Sequence, residues 1–150
     1  MANAPADEPH DLDRFVAAQE GVFATALAEL TSGAKRTHWI WFVFPQIDGL
    51  GSSPTARKYA IRSLAEARAY AAHPVLGPRL AEAVRAALGS GTRDAHALFG
   101  SPDDMKFLTS MTLFAIADPA RTDYREAINA FFDGEPDPRT VESQIIKAHI

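Results

Sequence analysis

Residues 38–46 read His-Trp-Ile-Trp-Phe-Val-Phe-Pro-Gln, and seven of these nine are apolar or proline. Both tryptophans of the chain fall inside this run. A segment of that composition belongs in a protein core. It carries the His38 imidazole, the indole N–H groups of Trp39 and Trp41 and the Gln46 amide, all of which need partners once buried. Taken alone, the aromatic and β-branched residues from Trp39 to Phe44 have strand composition. No second run of that kind exists to pair with it, and an unpaired strand would leave its backbone groups unsatisfied. The block therefore reads as a short buried helix ended by Pro45, with a strand as the alternative.

Helical signals fill the rest of the chain. Asp11 has the chemistry of an N-cap. Leu12, Phe15, Val16, Val22, Phe23, Ala26, Leu27 and Leu30 recur at helical spacing, predicting one long amphipathic helix that runs through Gly21 to Gly33. Ser53 followed by Pro54 predicts a capped helix start, and Ser63 with Glu66 three residues on has the form of a capping box. His73-Pro74 interrupts. Pro74 or Pro78 then opens a helix with Leu80, Val84 and Leu88 on one side, and a short turn spans Thr92 to Phe99. Ser101-Pro102-Asp103-Asp104 reads as a cap, a proline at the first helical position and two carboxylates against the positive end of the dipole. The helix that follows, through Phe107, Leu108, Met111, Leu113, Phe114 and Ile116, is apolar enough to be central. Tyr124, Ile128, Phe131 and Phe132 mark another, and Asp137-Pro138 starts the last. The expected fold is all-α: a multihelical orthogonal bundle of about seven or eight helices with two buried central hydrophobic helices. Residues 1–10 are expected to form a flexible arm and residues 11–150 a single domain.

Composition excludes more than it assigns. The chain has no cysteine, which removes disulfide scaffolds, thiolate metal sites and cysteine nucleophiles. No histidine spacing indicates a metal, and no cofactor motif is present. A formal net charge of −4 argues against a nucleic-acid partner that needs a dominant basic face. The first residues have neither a basic start nor an apolar core of the secretory kind, and no apolar run approaches the ~20 residues of a membrane helix. A cytoplasmic protein with no membrane partner is the expectation.

The blocks Asp11 to Gln19, Lys35 to Gln46, Gly49-Leu50-Gly51, Ala69 to Leu80 and Phe99 to Phe114 together resemble the domain-of-unknown-function family eighteen-ten, over roughly residues 11–140. The resemblance implies an all-α multihelical fold with two buried central helices, which favours helix over strand for the aromatic block. It implies no activity. Some members of that family carry a calpastatin-like label. A calpain inhibitor of that kind is a disordered, charged, repetitive chain, whereas this one places apolar residues in helical register, so calpain inhibition is not expected.

Three polar clusters adjoin the two most hydrophobic segments. Gly49, Gly51, Ser52 and Ser53 form a glycine- and hydroxyl-bearing loop before a helix start, with Arg57 and Lys58 about one turn on. That combination suits an anion, although a tight turn feeding a capped helix explains it equally. Asp103 and Asp104 sit where a helix dipole favours carboxylates, and Lys106 and Ser110 follow on the next turns. His38 reads first as a hydrogen-bonded core residue and second as an acid/base partner of Asp103 or Asp104. Trp41 could stack on a planar ligand or simply pack.

The resulting expectation is one polar pocket that binds a small anionic or nucleotide-like ligand. Trp41, Gln46, Gly49, Gly51, Ser52, Ser53, Arg57, Asp103 and Ser110 would bind, and if a reaction occurs, His38 or Asp104 would move the proton while Lys106 stabilises charge. The alternative is a non-enzymatic interaction or structural module whose polar core residues only stitch helices together.

Overall fold

The structure, a computed structural model, describes residues 10–147; the expected arm at residues 1–10 lies, but for His10, outside the described residues. It is all-α, with eleven helices among the described residues: α1 Asp13–Gln19, α2 Phe23–Ser32, α3 Ile40–Val43, α4 Pro54–Lys58, α5 Leu64–Ala72, α6 Leu76–Leu88, α7 Ala95–Phe99, α8 Asp103–Ala117, α9 Asp123–Phe132, α10 Pro138–Val141 and α11 Gln144–Lys147. No helix among them is long and apolar enough to cross a membrane.

The centre is α8. Every residue from Phe107 to Phe114 is buried, and α3, α5, α7, α9 and α10 all pack on it. Phe107 is the densest point: its ring stacks on Phe99 at 4.4 Å between centroids and meets Phe44 and Phe131 edge-on at 4.9 and 5.7 Å. Such ring pairs contribute about 0.5–1.5 kcal/mol each beyond burial. They join the aromatic segment, α7 and α9 through one side chain.

The aromatic block is helical, as expected, but for one turn only. Trp39, Ile40, Val43 and Phe44 are buried and Trp41 and Phe42 half-buried. So short a helix cannot satisfy its own carbonyls, and two buried side chains do it instead. Gln19 Nε2 and the Tyr70 hydroxyl donate to the Phe42 carbonyl at 2.7 and 3.2 Å. A single parallel bridge between Ile47 and Ile61 then closes the intervening loop, with Ile61 N–H donating to Gln46 O and Asp48 N–H to Ile61 O.

The predicted long helix from Asp11 to Gly33 is broken. Gly21 adopts φ +73°, a left-handed conformation no right-handed helix contains, so α1 ends at Gln19 and turns Gln19 inward onto Phe42. Asp11 is not a cap either; it has φ +50°, and Leu12 occupies the N-cap without a side-chain bond. Ser101 fails likewise, because Pro102, after a cis Ser101-Pro102 bond, sits at the N-cap of α8. Ser53, Ser63 and Asp137 do cap, accepting from Ala56, Glu66 and Thr140 N–H. Glu66 is drawn away from the second bond of a capping box. One oxygen accepts from Arg62 N–H and the other pairs with Arg14 at 2.7 Å. His73 caps α6 through its ring, Nδ1 accepting from Val75 and Leu76 N–H at 3.1 and 3.2 Å.

Glu29 fixes the approach to the aromatic segment. Its carboxylate is 8% exposed and accepts from Arg36 N–H, Thr37 N–H, the Thr37 hydroxyl and Trp39 Nε1 at 2.8–3.1 Å. Burial pushes this carboxyl up, but the bonds from Arg36, Trp39 and Thr37 outweigh it and hold it at about 2, against an ordinary 4.5. The folded form thus binds this proton more weakly than the unfolded chain, so the stabilisation is complete above pH 4.5 and is lost as pH falls toward about 2. At neutral pH it amounts to about 3 kcal/mol. Urea titrations across that acid window are expected to show a steep loss of stability for the natural chain and a shallower one for Glu29→Gln. Equal slopes would show that the carboxylate does not govern this loop.

Candidate functional site

Gln46 is where three parts of the chain meet. Its Oε1 lies 3.1 Å from the Thr109 hydroxyl on α8, which also lies 2.8 Å from the Lys106 carbonyl, so one proton serves two acceptors. Its backbone carbonyl receives Ile61 N–H. The loop arrives through Gly51, where an added Cβ would fall 3.0 Å from Gln46 Nε2 and 2.6 Å from Ala56 Cβ. Only a residue without a side chain allows that approach. The aromatic segment, the Gly49–Ser53 loop and α8 are therefore in contact at one amide.

Beside this junction runs a chain of charge. Lys35 Nζ lies 2.7 Å from Asp103 Oδ2, donates to Thr37 O at 2.6 Å and sits over the Trp39 ring. Its side chain is 5% exposed, and two of its three N–H groups are engaged, one by Asp103 and one by the Thr37 carbonyl. Lys106 is different. It reaches Asp103 Oδ1 only at 3.7 Å and lies 5.1 Å from the centroid of Trp41. Two lysines share one carboxylate, and Lys106 keeps both the surplus charge and more of its donors.

One turn beyond Lys106 on α8 is Ser110. Its hydroxyl and the Trp41 indole N–H are the two buried side-chain polar atoms among the described residues that have no hydrogen-bond partner. Leaving such a group unpaired costs about 1–3 kcal/mol. Both belong to residues that contact or flank Lys106.

Other expected site residues lie apart from this arrangement. His38 is exposed, and its ring has no hydrogen-bond or ion-pair partner among the described residues, so the core histidine and the His38–Asp pairing are both corrected. Glu29 holds the chain on either side of His38, at the Thr37 backbone N–H and at the Trp39 indole, and His38 between them faces outward. The basic partners of the carboxylates come from elsewhere: Lys35 reaches Asp103, and His96 Nδ1 stands 3.6 Å from Asp104. Asp104 also accepts from Met105 N–H. Gly49, Ser52, Ser53 and Arg57 are exposed, and the Ser53 hydroxyl is committed to its cap. Sequence reasoning missed Glu29, Lys35 and Thr109. Glu29 lies between the apolar positions of its amphipathic helix, where a charged residue ordinarily faces solvent, and nothing in its spacing points to Trp39.

Concave space is also found where no motif marks it. A groove of about 400 Å3 lies between the C-terminal half of α8, α9 and α10, with Ile116, Arg125, Ile128 and Val141 among its walls. A shallower polar hollow is formed by the turn from Asp118 to Asp123. Neither is lined by the residues around Gln46. Among the described residues no three His, Asp or Glu side chains cluster as metal ligands would.

Comparison with known proteins is consistent in fold and silent on activity. A family model described as a protein of unknown function (DUF1810) matches residues 9–144. The 1.38 Å crystal structure of the conserved hypothetical protein Rv1873 from Mycobacterium tuberculosis is similar at a TM-score of 0.87 and 48% identity, over 89% of this chain and 96% of that one. No curated protein matches. The chain belongs to the DUF1810 family of proteins of unknown function.

Proposed function

We propose that the protein binds a small anionic, nucleotide-like ligand beside Gln46, with Lys106 as its charge partner. Trp41 and Ser110 supply a donor and a hydroxyl, and Gly51 brings the neighbouring loop backbone against Gln46. The observation that carries this reading is the pair of unpaired buried groups, Trp41 Nε1 and Ser110 Oγ, flanking Lys106, whose Nζ reaches Asp103 only at 3.7 Å and makes no hydrogen bond among the described residues. Polar atoms retained at such a cost are characteristic of sites rather than of cores. Asp103 sets the position of Lys106 through the shared pair with Lys35. His38 and Asp104 take no part as an acid/base couple. A cytoplasmic setting accords with the absence of cysteine.

Other readings receive less support. A protein-docking module would present a large apolar surface patch, and Met105 is the one exposed large hydrophobic side chain among the described residues. The folded, aromatic core is opposite in character to a disordered calpain inhibitor.

The test is a thermal-shift panel of nucleotides and sugar phosphates on the full chain. A true ligand at 100 times its dissociation constant adds about 2.7 kcal/mol. That shift is expected to vanish in Lys106→Met, and a panel that shifts nothing would refute the proposal. Ser110→Ala and Trp41→Phe supply an independent sign. Removing the unpaired hydroxyl in Ser110→Ala is expected to raise stability by about 1 kcal/mol, and both variants are expected to weaken the ligand response. A loss of stability in Ser110→Ala with the ligand response intact would mark its hydroxyl as an ordinary structural one.

A further inference from the structure

The groove on the far half of α8 has the chemistry of a second site, independent of the one at Gln46. Its 400 Å3 lies within the range of small-molecule pockets, about 300–1,000 Å3. Ile116, Ile128 and Val141 give it apolar walls, and Arg125 is the only charged residue that lines it. Thr112 also borders the space, but its hydroxyl donates to Leu108 O and accepts from Asp137 N–H, both at 2.9 Å. The polar groups left for a ligand are the Arg125 guanidinium and the Asn129 carboxamide, one turn apart on α9 and therefore on one face.

Several carboxylates at this end of the molecule are committed to other partners. Glu126 is held by Arg85 and Thr122, Asp123 lies against Arg121, and Asp137 is bound by Thr140 and Arg139. Arg125 donates one Nη to Pro119 O at 2.9 Å, and no carboxylate among the described residues pairs with it. The Asn129 side chain has no hydrogen bond among them either. An uncommitted guanidinium and amide at the edge of an apolar hollow complement one kind of molecule.

We infer that this groove binds a small monocarboxylate with an apolar body, its carboxylate held by Arg125 and Asn129 and its hydrocarbon laid along Ile116, Ile128 and Val141. Octanoate and octan-1-ol, titrated separately into the full chain and followed by calorimetry and by amide chemical shifts of α9 and α10, test it directly. Octanoate is expected to bind saturably and about tenfold more tightly than the alcohol, the worth of one charge-assisted contact. Arg125→Met is expected to erase that difference while sparing the alcohol. Ala115→Phe, which fills the groove, is expected to abolish binding of both, and Ile116→Trp serves where that variant does not fold. Lys106→Met is expected to change neither, which separates this site from the one at Gln46. Absence of saturable octanoate binding at millimolar concentration, equal affinity for the alcohol, or undiminished binding in the filled variants would each overturn the assignment.

Discussion

The interaction on which the rest depends is the buried carboxylate of Glu29. Among the described residues no cation pairs with it. Two backbone N–H groups, a hydroxyl and an indole converge on it, so an isolated negative charge is stabilised by dipoles alone. Such a centre is worth having only if the loop around it takes a single shape. Here that shape directs Trp39 inward, His38 outward and Lys35 toward Asp103, and those three directions determine how the aromatic segment meets α8. Were the loop to relax, the Lys35–Asp103 pair and the seat of Lys106 over Trp41 would relax with it.

Much of the fold was legible because its signals are local. Ser53, Ser63 and Asp137 announce helix starts through bonds made within three residues, and the register of Phe107, Met111 and Phe114 needs only a helical period to imply burial. In two of the failures a distant partner overrides a local preference. Gly21 is tolerable within a helix on propensity, yet the bond from Gln19 to the Phe42 carbonyl draws the chain round at that point. Asp11 has good cap chemistry, but Arg14, donating to the His10 and Asp11 carbonyls while reaching Glu66 and Ala60, dictates the entry instead. His38 looked like a core residue because its neighbours are apolar. His38, however, precedes Trp39, the buried N-cap of the one-turn helix, and at that point the chain faces solvent.

At the candidate site the sequence showed which segments carry the polar groups but not how those groups divide their work. Lys106 and Asp103 are close in sequence, and their pairing follows from helical spacing. That Lys35 takes the better half of Asp103, leaving Lys106 the surplus charge, depends on a contact across 68 positions of chain and leaves no trace in composition. The same holds for Gly51. In sequence it is one glycine of a turn, whereas in the fold it is the place where backbone must lie against the Gln46 amide with no room for a methyl group.

The two proposed sites divide α8 between them, and its composition accounts for this. A surface helix sorts apolar from polar residues onto opposite faces, whereas a helix apolar all round is enclosed. In α8 both conditions hold in succession. The first turns carry Asp103, Lys106, Thr109 and Ser110 on the side of the aromatic segment, and the later turns carry Thr112, Ala115 and Ile116 toward α9 and α10. Thr109 and Thr112 mark the division. The first hydroxyl is divided between Gln46 and a backbone carbonyl, and the second, satisfied by Leu108 and Asp137, leaves the space beside it apolar. Five other helices pack on this one, so any shift of α8 to suit a ligand at one end would disturb contacts along its whole length. Preorganisation of that kind favours binding, and here it would come from the ring contacts of Phe107 and not from any residue of either proposed site.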